Sequence, residues 1–435
     1  MSIFLFLILY YNFKKESNFV KNVINSLNYD DKKINKRSII KNWWGNWSFP
    51  IKYSVGEGLD KATIKLALVN LNQSTCLTFE ETASIAPGNH GILFKLDSSV
   101  CYSLIGRSTS TGPQEILLTR ECSETVGTVQ HEVFHALGMH HEHRRSDRDN
   151  NIIILEDNIE QDKYTKEAMI DTDPFYYSNF GIPYEYNSLL HYSKAVYSKN
   201  GAFTIVAKNL VFYTYMMGQR EKPSFNDLKL VNTFYCSDKC KDIGVQCENG
   251  GYKHWNQCNQ CICPNSYYGY ACRYVKELPG SKCSNVSITA QHRNNTITVK
   301  GNKQCNFLIK TNEDKRVRVI VTSVKTYYKK ICTPTIGLQI KHLKDKSITG
   351  LCICGSYENI YIISEGNDVY IEYNGYEESN EVTIKYSIAP RTNATSMLCY
   401  EGFCYVKKGD YYEKYRAVKK TRFVSIKNGS LSNKS

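Results

Sequence analysis

The sequence predicts a multidomain chain in which a mixed α+β unit is followed by a small disulfide-held module and then by an all-β sandwich. Three observations carry this. The chain has 435 residues, more than one hydrophobic core usually organises. Its 17 cysteines concentrate after Cys236, with Cys240, Cys247, Cys258, Cys261, Cys263 and Cys272 crowded into one short segment. The apolar pattern also changes along the chain. It mixes helical and alternating periods before Cys236 and alternates alone after Cys283.

A hydrophobic content of 42% with 22% charged residues is that of a globular protein. So many cysteines imply an oxidising compartment, and a secreted, extracellular protein is expected. The run "SIFLFLILYY" (Ser2 to Tyr11) suits a signal-peptide core and is short of the ~20 residues that span a bilayer. Residues 1–13 are therefore expected to be a signal peptide, with no stable membrane span. Residues 14–37 are polar, end in "KINKR" (Lys33 to Arg37) and are expected to be a short pro-segment. Net charge is +13, partly gathered in a basic tail over 390–435. Such a tail is a solvated extension or a contact for acidic glycans; no nucleic-acid partner is expected. Sequons at Asn72, Asn285, Asn294 and Asn393 permit glycosylation of exposed loops.

Within the first unit, "FPIKYSV" alternates as a strand. "LDKATIKLALVNLNQST" places Ile64, Leu66, Leu68 and Leu71 among polar residues, an amphipathic helix. "GILFKL" and "EILLT" read as strands. A helix follows from about Thr125 to Leu137, stopped at Gly138, and another at "SFNDLKLVNTFYC". Beyond the cysteine-rich module, "VRVIVTSV", "NIYIISE" and "EVTIKYSI" are strands of the sandwich.

The segment "TVQHEVFHALGMHHEHRRSDRD" carries the chemistry. Residues four apart share a helical face, so His131 and His135 can offer two imidazoles to one ion. Glu132 stands beside the first, and Gly138 lets the backbone turn sharply to bring round His141 as a third ligand. Three protein ligands leave zinc an open position, the mark of catalytic rather than structural sites. His140 and His143 have the wrong spacing and read as surface residues or supports of the ligands.

The extended pattern HExxHxxGxxH resembles the metzincins, and "HEHRRSDRD" (His141 to Asp149) narrows the resemblance to the astacin family, nearest its nematode members. The resemblance covers about 38–236 and implies a zincin fold of two lobes around the active-site helix. It implies one Zn2+ per catalytic domain, Glu132 as general base, and Tyr192 of "YNSLLHYSKAVYSKNG" as stabiliser of the transition state. Leu190 stands where the family carries methionine. Glu142 is expected to pair with the amino terminus freed by cleavage before Ser38. The pro-segment lacks the family's FxGD motif; Asp30 or Asp31 is the candidate substitute. Disulfides Cys76–Cys236 and Cys101–Cys122 are implied.

Residues 237–274 resemble an EGF-like domain. Six cysteines allow fifteen connectivities, and the likeness favours Cys240–Cys258, Cys247–Cys261 and Cys263–Cys272. Residues 283–389 resemble a CUB domain, with Cys283–Cys305 and Cys332–Cys354 at its spacing. Cys352 has no evident partner, while Cys399 and Cys404 can close a local loop. The function implied is a secreted zinc metalloendopeptidase acting on extracellular proteins. The competing reading is a non-catalytic scaffold that binds through the sandwich and the basic tail.

Overall fold

The computed structural model describes residues 39–40, 47–107, 112–170, 177–241, 244–277, 283, 287–391 and 395–416. The expected signal peptide, the pro-segment with Asp30 and Asp31, Ser38, and the sequons at Asn285 and Asn393 lie outside the described residues. The chain divides into two compact units, one of Met1–Ser146, Ile154–Gly181 and Ala195–Thr204, the other of Asp147–Ile153, Ile182–Lys194 and Ile205–Ser435. The division runs through the segment expected to be a single domain over 38–236. Its later part groups with the C-terminal modules.

The first unit is built on a five-stranded sheet ordered Phe79–Glu81, Ile51–Val55, Ile92–Leu96, Gln114–Leu118 and Tyr102–Ser103. The first four strands are parallel and the last is antiparallel. The helix Lys61–Ser74 starts at Asp60, whose carboxylate accepts from the amides of Ala62 and Thr63. It buries Ile64, Ala67, Leu68 and Leu71, the i, i+3, i+4, i+7 stripe, each large side chain worth roughly 1.5–3 kcal/mol. Leu66, expected in that stripe, is instead 51% exposed. Two residues on from Ile64 is about 200° round the helix, so Ala67 takes the inward place. This helix lies against Val126–Ala136, where the Gln130 amide donates to the Ala67 carbonyl at 3.1 Å.

In the second unit the helix Phe225–Tyr235 opens with a capping box between Ser224 and Asp227. The cysteine-rich module has two short antiparallel pairs, Tyr252–Lys253 with Cys261–Ile262 and Tyr267–Tyr268 with Tyr274–Val275. Its disulfides join Cys240 to Cys258, Cys247 to Cys261 and Cys263 to Cys272. With so little apolar area to bury, these bonds supply most of its order.

Two larger sheets follow. One is five-stranded, ordered Ser287–Thr289, Gln304–Lys310, Asp368–Asn374, Gly337–Lys341 and Leu351–Ile353. The other is seven-stranded, ordered Asn295–Lys300, Glu381–Ile388, Val317–Lys325, Ser356–Ile363, Ser396–Tyr400, Phe403–Lys408 and Tyr411–Arg416. Val317–Lys325 largely alternates buried with half-buried positions, as a strand with one covered face does. Gly337–Lys341 is buried at all five positions, so both its faces are covered. Disulfides join Cys283 to Cys305, Cys332 to Cys354 and Cys399 to Cys404; Cys352 is a buried free thiol.

The sandwich does not stop at 389. Of the basic tail expected over 390–435, residues 396–416 are three further strands of the larger sheet. Met397, Cys399, Cys404 and Val406 cluster inward with Ile363, while Lys408, Lys414 and Arg416 face solvent. Interleaved lysines conceal a period-two strand pattern.

Candidate metal centre

The helix Val126–Ala136 carries His131 and His135 one turn apart, their ring centroids 4.6 Å from each other and both side chains buried. The helix must end at once if a third ligand is to reach the same point. Leu137 caps it, and Gly138 takes φ of 98°, where a residue with a Cβ is strained. The Gly138 amide then donates to the His135 carbonyl at 2.8 Å, and the Met139 amide to the Phe134 carbonyl at 2.9 Å. These are the paired bonds of a Schellman stop.

That stop also fixes a tautomer. It presents the Met139 carbonyl 2.8 Å from His135 Nδ1, so Nδ1 carries the proton and Nε2 keeps its lone pair. His135 Nε2 lies 3.1 Å from both His131 Nε2 and His141 Nε2, and all three ligand atoms fall within 4.8 Å of one another. Converging imidazole lone pairs invite a cation. A tetrahedral zinc with Zn–N of about 2.0–2.1 Å spaces its nitrogens roughly 3.3 Å apart, so the donor set fits that ion. Burial first, then the neighbouring His135 and His131, holds His141 well below the usual histidine range. Its ring is therefore neutral, the form that ligates.

Glu132 is buried next to the first ligand in the chain, 5% exposed. Glu142 is also buried, and its Oε1 accepts from Arg145 Nη1 at 3.1 Å. Ser38, its expected partner, lies outside the described residues. His140 Nδ1 accepts from the His141 amide at 2.7 Å. His143 is not a surface residue: it is fully buried, and its Nε2 bonds the Ala168 carbonyl at 3.0 Å. A cysteine pair, Cys101 and Cys122, closes the segment before the helix, and Cys76 and Cys236 are each disulfide-bonded. Among the sequons, Asn72 and Asn294 are exposed. The Asn72 amide donates to the Leu77 carbonyl and the Asn294 carbonyl accepts from Arg318.

In the second unit the turn Ser188–Tyr192 is tied down at nearly every residue. Ser188 Oγ donates to Asp227 Oδ1 at 2.6 Å and the Leu189 amide to Oδ2 at 2.8 Å. Leu190 is fully buried, its amide bonded to Ser188 Oγ. Arg220 Nη1 donates to the carbonyls of Leu189 and His191. His191, fully buried, donates from Nδ1 to the Tyr192 carbonyl at 2.8 Å and accepts at Nε2 from the Tyr184 hydroxyl at 2.7 Å. Burial pushes its pKa down to about 4, so the ring stays neutral in that bridge. Asp227 and Arg220 escape a reading by motif. The one signal for Asp227 is its place three residues after Ser224 ahead of an apolar run, the capping-box pattern; Arg220 has none.

Two imidazoles from one helical face, a third from the turn beyond and a buried glutamate between them define a metallopeptidase domain. Residues 37–236 match the peptidase family model Astacin, and through that segment the chain belongs to the astacin family of zinc metalloendopeptidases. Zinc metalloproteinase nas-34 of Caenorhabditis elegans is 32% identical over 370 residues, covering 83% of this chain and 58% of that protein. Zinc metalloproteinase dpy-31 of Brugia malayi is 30% identical over 337 residues, covering 73% and 54%. The chain thus spans a little over half the length of these curated relatives. Among solved structures, high choriolytic enzyme 1, a hatching enzyme zinc-protease from Oryzias latipes, is 28% identical. It covers 45% of this chain and 98% of its own, with a TM-score of 0.38.

Proposed function

We propose that the protein is a secreted endopeptidase that hydrolyses internal peptide bonds of extracellular proteins, with one zinc ion held by His131, His135 and His141. The observation that carries the reading is the convergence of three Nε2 atoms, one of them locked as a lone-pair donor by the Met139 carbonyl. When bound, zinc supplies Lewis acidity, polarising the scissile carbonyl and acidifying water. Glu132 takes the water's proton as general base and returns it to the leaving amine. Burial suits that work, because a desolvated carboxylate is a stronger base than one in bulk water. Tyr192 donates a hydrogen bond to the developing oxyanion, and the bonds to Asp227, Arg220 and His191 hold its backbone for that purpose. Glu142 receives the freed amino terminus of Ser38, sharing its charge with Arg145. The module over 237–274 reads as EGF-like and the sandwich as CUB-like. The exposed Lys408, Lys414 and Arg416 offer positive charge to acidic glycans. Seven described disulfides favour the extracellular placement.

The test is hydrolysis of azocasein by the protein beginning at Ser38, with and without chelator, beside Glu132→Ala. Chelation and the substitution are each expected to abolish turnover, while Glu132→Ala retains stoichiometric zinc. Undiminished turnover by the variant would remove the general-base assignment.

A further inference from the structure

The turn Ser188–Tyr192 is held on one side by Arg220 and Gln219, and preceded by Glu185. Both supports continue into the β-sandwich. Glu185 is 2% exposed. Its Oε1 accepts from the Asn187 amide at 3.1 Å, at the entry to the turn, and its Oε2 from the Thr349 amide of the sandwich at 3.0 Å. The Glu185 carbonyl accepts from the Ser188 amide at 3.1 Å. One carboxylate thus joins the turn to the loop between strands Gly337–Lys341 and Leu351–Ile353. That loop is itself fixed from within, because buried Lys341 Nζ donates to the carbonyls of Lys346 and Ile348.

The segment 211–221 does the same from the other side. Toward the sandwich, the Tyr213 hydroxyl bonds His342 Nε2 at 2.7 Å, and the Tyr215 carbonyl accepts from the Cys332 amide at 2.8 Å. Phe212 stacks edge-on against Tyr357, and Glu221 pairs with Lys329 and accepts from Thr333. Toward the turn, the Gln219 amide donates to the Asn187 carbonyl at 3.0 Å, and Arg220 to Leu189 and His191. Between them Gly218, at φ of 88°, approaches Ser193 so closely that a Cβ would meet its Cα at 2.6 Å. A tether that bonds sandwich residues at one end and the turn's backbone at the other transmits position between them.

We infer that the β-sandwich is a structural part of the peptidase lobe, setting the turn that carries Tyr192, with Glu185 as the positioning residue between the two. The catalytic consequence rests on the role proposed above for Tyr192; the mechanical coupling does not. A module tethered only to recruit substrate would leave the turn alone. This sandwich supplies a backbone donor and an imidazole to groups that the turn depends on.

The experiment uses the full chain with Glu185→Gln, whose amide places a donor against one of the two backbone N–H groups. Tyr213→Phe, which deletes a single hydroxyl at the same junction, serves as a second and gentler variant. Amide hydrogen exchange is followed over 186–194, together with zinc content and kcat and KM on a short fluorogenic peptide. Both variants are expected to bind zinc stoichiometrically and to exchange the amides of the turn at least tenfold faster. kcat is expected to fall about ten- to a hundredfold with KM changed less than about twofold. Glu185→Asp, which keeps the charge but shortens the reach, is expected to recover only part of that loss. Unchanged exchange over 186–194 in both variants overturns the coupling. Faster exchange with unchanged kcat overturns the positioning role. If the wild-type protein hydrolyses nothing, the peptidase reading fails, while the exchange arm still decides whether the sandwich holds the turn.

Discussion

Acidification from about pH 7.5 to about pH 5 is expected to destabilise the protein by about 2 kcal/mol through His342 alone. This residue is 1% exposed, accepts from the Tyr213 hydroxyl at Nε2 and faces Ser396 Oγ with Nδ1. Burial, then the charges of Lys346 and Lys407, depresses its pKa from 6.5 to about 3. A histidine whose folded pKa is lowered binds its proton more readily in the unfolded chain. Its contribution is therefore intact above 6.5 and lost as pH falls toward 3. At pH 5 the unfolded state has gained RT ln(1 + 10^1.5), about 2 kcal/mol, and the whole shift corresponds to about 5 kcal/mol. The assay is urea unfolding at both pH values for the wild type and for His342→Gln, whose side-chain carbonyl can still accept from Tyr213. Carboxylates elsewhere titrate alike in both proteins, so their difference isolates the imidazole. Wild type is expected to lose about 2 kcal/mol more than the variant. Equal losses would refute the reasoning.

Three further outcomes follow from the same geometry. Gly138→Ala is expected to cost about 1–2 kcal/mol from its left-handed backbone and to weaken zinc binding in a metal titration, because the stop also positions the Met139 carbonyl on His135. Chelation is expected to lower the melting temperature of the purified protein, and zinc at about a thousandfold over its Kd to restore about 4 kcal/mol; a calorimetric trace indifferent to zinc would count against the cluster as a metal site. Leu190→Met, at a fully buried position, is expected to change stability by less than about 1.5 kcal/mol and to leave peptide hydrolysis within about twofold, measured side by side with the wild type.

The three histidines were legible because a helix converts a spacing of four into a shared face, and a glycine marks where that face must end. The helix Lys61–Ser74 was legible for the same reason, although counting apolar letters put Leu66 inside when the angle puts it outside. The three strands between Ser396 and Arg416 have no such protection, since alternation survives poorly among lysines that pair outward with Glu365 and Glu413.

What the sequence alone determined is local or covalent in origin: the ligand helix and its stop, the cysteine-bound module and the alternation of the main sandwich strands. Tertiary structure decided what depends on long-range meeting. It chose Asp227 and Arg220 to hold the turn, buried His143 against Ala168, and set Glu185 between Asn187 and Thr349. The physical reason is that a hydrogen bond between residues 164 positions apart leaves no periodic trace. Its partners become neighbours only when two separately encoded surfaces exclude water together.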